Sequence, residues 1–426
     1  MEIIKETLPS GLTVILVPMA GTKSITEVFI VRAGWKYEWP EIYGLSHFIE
    51  HMAFRRTNKR PTAEAIVKEV EGRGGTINAL TIDEYTFYCV KIPARFINTA
   101  HDIISDMLLN SKFDQEEIDI ERGPILEELH MNQDDPGLYV SSTLWPKLLY
   151  KNQPAGQNGL GTEENLKGLK RKHFFDYLRK LYVASNSAVC VTGKIENPGK
   201  VLNDLNKYFR KISQEKPKIK KPRVIERQKK PKILFEPRET TQTHVVLGVR
   251  GYSIFHPGRY AFKMLGIILG GNMSSRMFRE VRDKRGLAYD IHTDTYFQTD
   301  AGWLATYAGL NSEKIIEALQ VIIGQYREIS KKEVSQEELR IAKDFILGQM
   351  EMGLENSDAL ALYFSEQFVL TGQIEAPEER IQKFESVTAG DILRVAQDIF
   401  QNKSLNLAIV GPHRKLKEKL YSIIKF

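Results

Sequence analysis

The chain has 426 residues, of which 42% are hydrophobic and 27% charged, so it is long enough for more than one globular domain. Its formal net charge is +6, but acidic and basic residues are interleaved, and no basic stripe carries the aromatics that stack on bases. We therefore expect no nucleic-acid partner. The two cysteines, Cys89 and Cys190, exclude a disulfide framework and a thiolate metal cage.

Nothing in the sequence predicts a membrane protein. Residues 1–6 lack the basic-then-apolar order of a secretory signal, and no apolar run has the length of a membrane helix. We expect a soluble, cytoplasmic protein that does not associate with a membrane.

In the first half of the chain, strand-like segments alternate with helical ones. The runs LTVILV (12–17) and YTFYCV (85–90) are apolar and β-branched, and a helix is predicted between them around residue 47. Asp114 and Glu117 have the spacing of a capping box ahead of a long helix, and AVCVTG (188–193) is a further strand. This order predicts an α+β domain, a mainly antiparallel sheet packed against helices.

Residues 213–231 combine lysine and proline without apolar periodicity, which predicts a semi-extended linker whose basic run is solvated. Beyond it, Ser335 and Glu338 have capping-box spacing, and LAIVG (407–411) is another strand. We expect a first domain at 1–212 and a second at 232–426.

The two halves look duplicated. QEEI at 115–118 resembles QEEL at 336–339, and IL recurs at 125–126 and 346–347 in the same register. A repeat of roughly 220 residues is too long for a solenoid unit and fits two copies of one domain.

The motif HFIEH at residues 47–51 is typical of a zinc site. On a helix, His47 and His51 project from one face, and an i, i+4 pair of imidazoles supplies two zinc ligands without strain. Glu50 lies near the same face and can accept a proton from a metal-bound water. Ser46 is a possible cap for this helix.

A zinc site of this kind needs a third protein ligand. The candidate is Glu128, but spacing alone does not distinguish it from Glu121, Glu127 or His130. Glu121 and Glu128 are seven residues apart, so on one helix they share a face, and Glu121 could support the site without binding metal.

Several segments together resemble the pitrilysin/insulinase family of inverted zinc peptidases, in particular its half-length branch that includes mitochondrial processing peptidases. The resemblance spans nearly the whole chain. It rests on these segments: GLTV (11–14), RAG (32–34), GLSHFIEHMAF (44–54), GGTINA (74–79), residues 121–128, GGNMSSR (270–276) and VRDKRGLAY (281–289).

The resemblance implies a role for each candidate residue. It makes His47, His51 and Glu128 the ligands of one zinc ion per chain, Glu50 the catalytic base, and Glu121 a supporting carboxylate. Asn78 and Ala79 would pair with an extended peptide substrate by strand addition. Arg282 and Tyr289 would contact the substrate carbonyl and stabilise the transition state.

In the repeat, the second half lacks the metal residues. Ile268, Asn272, Ala342 and Gln349 stand where the first half has His47, His51, Glu121 and Glu128. This pattern fits a partner domain that contacts substrate. Pro124 departs from the aliphatic residue usual in the family, so either a new helix begins near it or the helix bends between Glu121 and Glu128.

We therefore expect an endopeptidase that cleaves peptides or presequence-like segments within an enclosed chamber. Because the chain retains Arg282 and Tyr289, a homodimer could build complete sites, and a heterodimer with a homologue is the alternative. The competing functions are a catalytically silent structural or assembly subunit of the same family and a metal-dependent hydrolase that acts on something other than peptides.

Overall fold

The structure, a computed structural model, describes residues 1–412 and 417–425. Its strands are β1 (Ile4–Thr7), β2 (Thr13–Pro18), β3 (Ser24–Val31), β4 (Thr76–Thr81), β5 (Thr86–Pro93), β6 (Ser187–Gly193), β7 (Lys232–Pro237), β8 (Gln242–Arg250), β9 (Ala288–Phe297), β10 (Gly302–Asn311) and β11 (Asn406–Gly411).

The α-helices are α1 (Leu45–Ala53), α2 (Ala63–Glu71), α3 (Ile97–Asn110), α4 (Gln115–Asp134), α5 (Pro136–Leu138), α6 (Trp145–Leu149), α7 (Glu163–Gly168), α8 (Arg171–Leu181), α9 (Pro198–Tyr208), α10 (Arg259–Gly270), α11 (Ile315–Ile329), α12 (Gln336–Gly353), α13 (Ser357–Thr371), α14 (Pro377–Glu385), α15 (Ala389–Ile399) and α16 (Lys417–Ile423). Two segments, Tyr139–Leu144 and Phe278–Asp283, wind as π-helix. The predicted linker has neither helix nor strand between residues 217 and 230.

The chain forms two compact units, and neither is one continuous stretch. Unit one consists of Met1–Leu129, Gly159–Pro222 and Glu351–Ala376. Unit two consists of His130–Asn158, Arg223–Met350 and Pro377–Phe426. These units differ from the expected linear halves, because each takes one segment from the other half of the chain.

Unit one is built on a six-stranded sheet in the order β1-β2-β6-β3-β5-β4. Only the β2–β6 pairing is parallel. Both faces of this sheet are buried: Val14 and Leu16 pack with the core of α1, α3 and α4, while Ile15 and Val17 pack with α13 on the opposite face. Burial on both faces explains why these strands are continuous apolar runs in the sequence.

Unit two repeats this arrangement with five strands in the order β7-β11-β8-β10-β9. Strand β11 pairs parallel with β7 and antiparallel with β8, as β6 does with β2 and β3. Helices α10, α11 and α15 cover one face, and the segment that contains Val140, Leu144 and Trp145 covers the other. The duplicated α+β fold is thus confirmed.

Helix α1 is held at its start by a buried carboxylate. Gly44, with a φ of 92°, precedes the helix, and a Cβ there would lie 2.6 Å from the Leu160 carbonyl oxygen. Glu38 accepts hydrogen bonds from the N–H groups of Gly44 (2.8 Å) and Ser46 (2.6 Å) and from the Ser46 hydroxyl. Burial raises the pKa of Glu38 to about 7. Ser46 therefore lies inside the helix, and its predicted capping role is wrong.

In the ranges 1–412 and 417–425, no helix combines the length and apolarity that crossing a bilayer requires.

Candidate metal centre

Two imidazoles meet on one face of α1. The Nε2 atoms of His47 and His51 lie 3.2 Å apart, because residues four positions apart on a helix project from the same side. The side chains are 14% and 26% exposed, respectively. The face that carries them is therefore open to a ligand while the rest of α1, including Phe48 and Ile49, is buried in the core.

Helix α4 brings two carboxylates to the same place. It continues from Gln115 to Asp134 with Pro124 inside, so the alternative of a new helix near Pro124 is wrong. Glu121 lies 3.0 Å from His51 Nδ1, and a Glu128 oxygen lies 3.4 Å from His47 Nε2. Both glutamates reach α1, as their shared face predicts.

The donor atoms have the separations that a tetrahedral ion requires. Glu128 Oε2 is 3.4 Å from His47 Nε2 and 3.6 Å from His51 Nε2. Ligands at about 2.0–2.2 Å from a tetrahedral zinc lie roughly 3.3–3.5 Å from one another. Within the described part of the chain, this is the group of histidine, cysteine and carboxylate side chains that could hold a metal ion. The three residues fit zinc.

The two histidines differ in their affinity for protons. Burial, together with the nearby charge of His51, lowers the pKa of His47 to about 3, so this imidazole is neutral as a zinc ligand must be. Burial alone would lower the pKa of His51, but its hydrogen bond to Glu121 and the charges of Glu50, Glu121 and Glu128 raise it overall. The same hydrogen bond occupies Nδ1 and leaves Nε2 for the metal.

Glu50 lies between the metal ligands and the sheet edge. Burial raises the pKa of its carboxyl. Hydrogen bonds from the side chain and backbone of Thr81 favour the ionised form and offset part of this rise. Its Oε2 atom is buried without a hydrogen-bond partner in the protein. This is the arrangement that a proton acceptor requires, with one oxygen anchored and the other available.

Strand β4, which ends at Thr81, is an edge strand in the described sheet. It pairs with β5 on one side. Asn78 is exposed, and its Oδ1 accepts a hydrogen bond from the Ala79 N–H at 2.9 Å. The two predicted substrate-binding residues therefore lie on a free edge next to the strand end that anchors Glu50.

The second predicted pair lies together in unit two. The Arg282 guanidinium is 5.4 Å from the centroid of the Tyr289 ring, and Tyr289 is 76% exposed at the start of β9. An arginine beside an exposed phenol can offer donors to a carbonyl or an oxyanion.

Three contributors were not predicted from the sequence. Glu38 fixes the start of α1, Thr81 holds Glu50, and Arg55 binds both Glu117 (2.8 Å) and Glu121 (3.0 Å). Local spacing predicted none of these three roles: α1 ends at Ala53, and the contacts of Arg55 with Glu117 and Glu121 join segments distant in the chain.

Two protein-family models match most of this chain. A family model described as "Insulinase (Peptidase family M16)" matches residues 13–163, and one described as "Peptidase M16 inactive domain" matches residues 168–345. The chain belongs to peptidase family M16. This family and the inverted zinc peptidases predicted above are the same, so that prediction is confirmed.

Several proteins named as proteases resemble this chain over nearly its full length. A Rickettsia bellii protein named "Uncharacterized zinc protease" is 31% identical, covering 95% of this chain and 97% of its own. A Streptomyces coelicolor protein of the same description is 29% identical, covering 97% and 90%. A solved structure of a Helicobacter pylori protease has a TM-score of 0.89 at 22% identity, covering 96% of this chain and 99% of that one.

The ranges of the two family models also agree with the difference between the two halves of the repeat, of which only the first has the candidate metal ligands. The M16 model described as inactive covers the part of the chain in which Ile268 and Asn272 replace the two histidines. The metal residues, in contrast, all lie within the segment that matches the insulinase model. The chain thus combines one M16 segment that carries His47, His51 and Glu128 with one that lacks their counterparts.

Proposed function

We propose that this M16 protein is a zinc-dependent endopeptidase that hydrolyses peptides, including presequence-like segments, bound in an extended conformation. The observation that supports it most is the convergence of His47, His51 and Glu128 at separations of 3.2–3.6 Å beside the half-buried Glu50. The names of the zinc protease relatives support zinc as the ion.

A zinc ion bound by these three residues would polarise a scissile carbonyl and lower the pKa of a water molecule. Glu50 holds one oxygen on Thr81 and has Oε2 available to take a proton. Burial raises the pKa of Glu50, which favours uptake of that proton, and the same carboxyl would then deliver it to the leaving amine. His51, fixed by Glu121, keeps its Nε2 directed at the metal position.

The substrate backbone would add as a further strand along β4, with hydrogen bonds to Asn78 and Ala79. Such binding selects extended peptides over folded proteins, because a folded chain rarely offers an unpaired strand. In this proposal, the second domain closes over the substrate to form an enclosed chamber, and Arg282 and Tyr289 contribute to its carbonyl contacts. The active form would be a homodimer, or a heterodimer with a homologue.

A catalytically silent structural subunit is the competing function, and the M16 model described as inactive, which matches residues 168–345, favours it. Against it, the first half keeps His47, His51, Glu128 and Glu50, and the donor atoms of the first three lie 3.2–3.6 Å apart. A subunit without catalytic function would have no need of a Glu50 that is anchored by Thr81 and has a buried Oε2.

The test measures zinc content and the cleavage of a quenched fluorogenic peptide by wild type and by Glu50→Gln. We expect about one zinc per chain in both proteins. Cleavage should fall by roughly 10²–10⁴-fold in the variant, the range that a positioned general base contributes. Tight zinc binding with no cleavage by the wild type would overturn the peptidase proposal in favour of the silent subunit.

A further inference from the structure

Arg55 lies two residues after the end of α1 and contacts two carboxylates of α4. Its Nε and Nη2 atoms lie 2.9 Å and 2.8 Å from one oxygen of Glu117, and its Nη1 atom lies 3.0 Å from Glu121 Oε2. The other oxygen of Glu121 accepts the hydrogen bond from His51 Nδ1 at 3.0 Å. One buried carboxylate, 8% exposed, therefore links Arg55 to a metal ligand.

The second half of the chain retains part of this arrangement. Arg276 and Glu338 occupy the positions of Arg55 and Glu117 in the repeat, and they form a bidentate pair at 2.7 Å and 3.0 Å. There, however, Ala342 stands in place of Glu121. The pair lines a cavity of about 590 Å³ that holds none of the metal residues.

Comparing Arg55 with Arg276, its counterpart in the repeat, distinguishes two roles of Arg55. The arginine–glutamate pair occurs in both halves, so it belongs to the scaffold that joins two helices. The contact with Glu121 occurs only where there is a metal site. We propose that Arg55 is a positioning residue of the metal centre, which acts through Glu121 on His51; the proposal rests on the metal site of the proposed function.

The chemistry of the three groups supports this role. A guanidinium has a planar set of donors that fixes a carboxylate in orientation as well as in distance. With Oε2 held by Arg55, Glu121 Oε1 is directed at the His51 ring and fixes both its tautomer and its rotation. Without Arg55, the Glu121 side chain would gain rotamers that release His51.

The experiment measures zinc affinity by chelator competition in the full-length protein. Arg55→Met should weaken zinc binding by about 10–100-fold, the usual effect of losing a group that orients a ligand. The matched control Arg276→Met removes the equivalent pair and should leave zinc affinity unchanged. Urea denaturation of the metal-free proteins measures how much free energy of unfolding each variant loses.

A second comparison tests the route through Glu121. In the background of Glu121→Ala, Arg55→Met should cause no further loss of zinc affinity. Arg55→Lys, which offers a single point of contact, should have an affinity between those of wild type and Arg55→Met. If Arg55→Met does not fold, Arg55→Lys and Arg276→Lys carry the same comparison.

Two results would overturn the proposal: equal losses of zinc affinity in Arg55→Met and Arg276→Met, or a full additional loss in the Glu121→Ala background. Because the readout is metal affinity, it is independent of hydrolysis. A wild type that binds zinc but cleaves nothing would remove the peptidase function and leave the role of Arg55 intact.

Discussion

The two histidines of the candidate metal centre have different protonation behaviour despite being one helical turn apart. Burial holds the pKa of His47 near 3, whereas Glu121 and the neighbouring carboxylates raise the pKa of His51. The His47 imidazole is therefore neutral at neutral pH, whereas the His51 imidazole binds a proton more readily than an ordinary histidine does. A zinc ion must displace a proton from His51 but not from His47.

This difference predicts a pH dependence of zinc binding. Below the raised pKa of His51, apparent zinc affinity should fall by about tenfold per pH unit, because one proton competes with the metal. Titration of zinc affinity between mildly acidic and alkaline pH measures the slope. Since His47 is neutral throughout this range, a slope of two protons would contradict the assignment.

Glu128 offers a sharper substitution test at the same scale. Its Oε2 lies 3.4 Å from His47 Nε2, whereas Glu127 is exposed and is not in the group of side chains that could hold a metal ion. Glu128→Gln should weaken zinc binding by roughly 100-fold or more, beyond the loss expected for an orienting residue. The control Glu127→Gln should retain wild-type affinity, as measured by chelator competition. Similar losses in both would show that charge alone, not ligation, is responsible.

The sequence predicted part of this site for a physical reason. His47 and His51 are four residues apart, so local helix geometry was enough to place them together. Glu128 is distant in the chain, and its spacing did not distinguish it from Glu121 or Glu127; only the family resemblance did. The role of Arg55 depends on contacts between two helices, which no local pattern records.

At the scale of elements, α4 tolerates a proline in its interior. Pro124 is exposed, cannot donate a hydrogen bond to the Ile120 carbonyl, and its ring crowds that group. Pro124→Ala should therefore raise the free energy of unfolding by about 1–3 kcal/mol, measured by urea denaturation.

Gly123→Ala is the matched control for this change. A Cβ at residue 123 would meet no atom within 4 Å, so the substitution should give only the gain of about 1 kcal/mol expected from helix propensity. A loss of stability in Pro124→Ala would show that the surrounding residues require the proline and would contradict the expectation that Pro124 destabilises α4.

Strand β4 is the second element with a specific expectation. The Ala79 N–H lies at the sheet edge and donates to Asn78 Oδ1, an acceptor that a carbonyl of the substrate strand would replace. Ala79→Pro removes this donor and should raise KM for a quenched peptide by about tenfold, the equivalent of one hydrogen bond of ~1.4 kcal/mol. Ala79→Ser keeps the donor and should keep KM. Unchanged KM in Ala79→Pro would exclude pairing at this position.

The start of α1 shows why the prediction of Ser46 as its cap was wrong. Ser46 precedes the histidine motif and has a residue type common at helix starts. The helix begins at Leu45. The N–H groups of Gly44 and Ser46 donate hydrogen bonds to the carboxylate of Glu38, which lies several residues before the helix. A cap supplied by a distant side chain leaves no trace in the local sequence.

At the scale of the molecule, each sheet is completed by a segment from the other half of the chain. Helix α13 covers the second face of the sheet in unit one, and Tyr139–Leu144 with α6 covers that of unit two. The sequence predicted duplicated α+β domains correctly, since apolar runs and the repeat are local signals. The exchanged helices were not predicted, because an apolar helix does not specify which sheet it covers.

The exchange predicts that a substitution late in the chain destabilises unit one. Phe364 is fully buried in α13 against β3 and β6, so Phe364→Ala should cost about 3–5 kcal/mol. Hydrogen exchange should then accelerate in β3 and β6 amides. The control Phe400→Ala, buried in the core of unit two, should leave those amides protected. Equal exchange in both variants would contradict the described packing.

The most direct test of the central claim is a diffraction experiment on zinc-loaded Glu50→Gln with a bound peptide, using the anomalous signal of zinc. We expect one ion at roughly 2.0–2.2 Å from His47 Nε2, His51 Nε2 and Glu128 Oε2. We also expect the peptide backbone as an added strand on β4 beside Ala79. Zinc bound elsewhere, or a peptide that does not touch β4, would contradict this expectation.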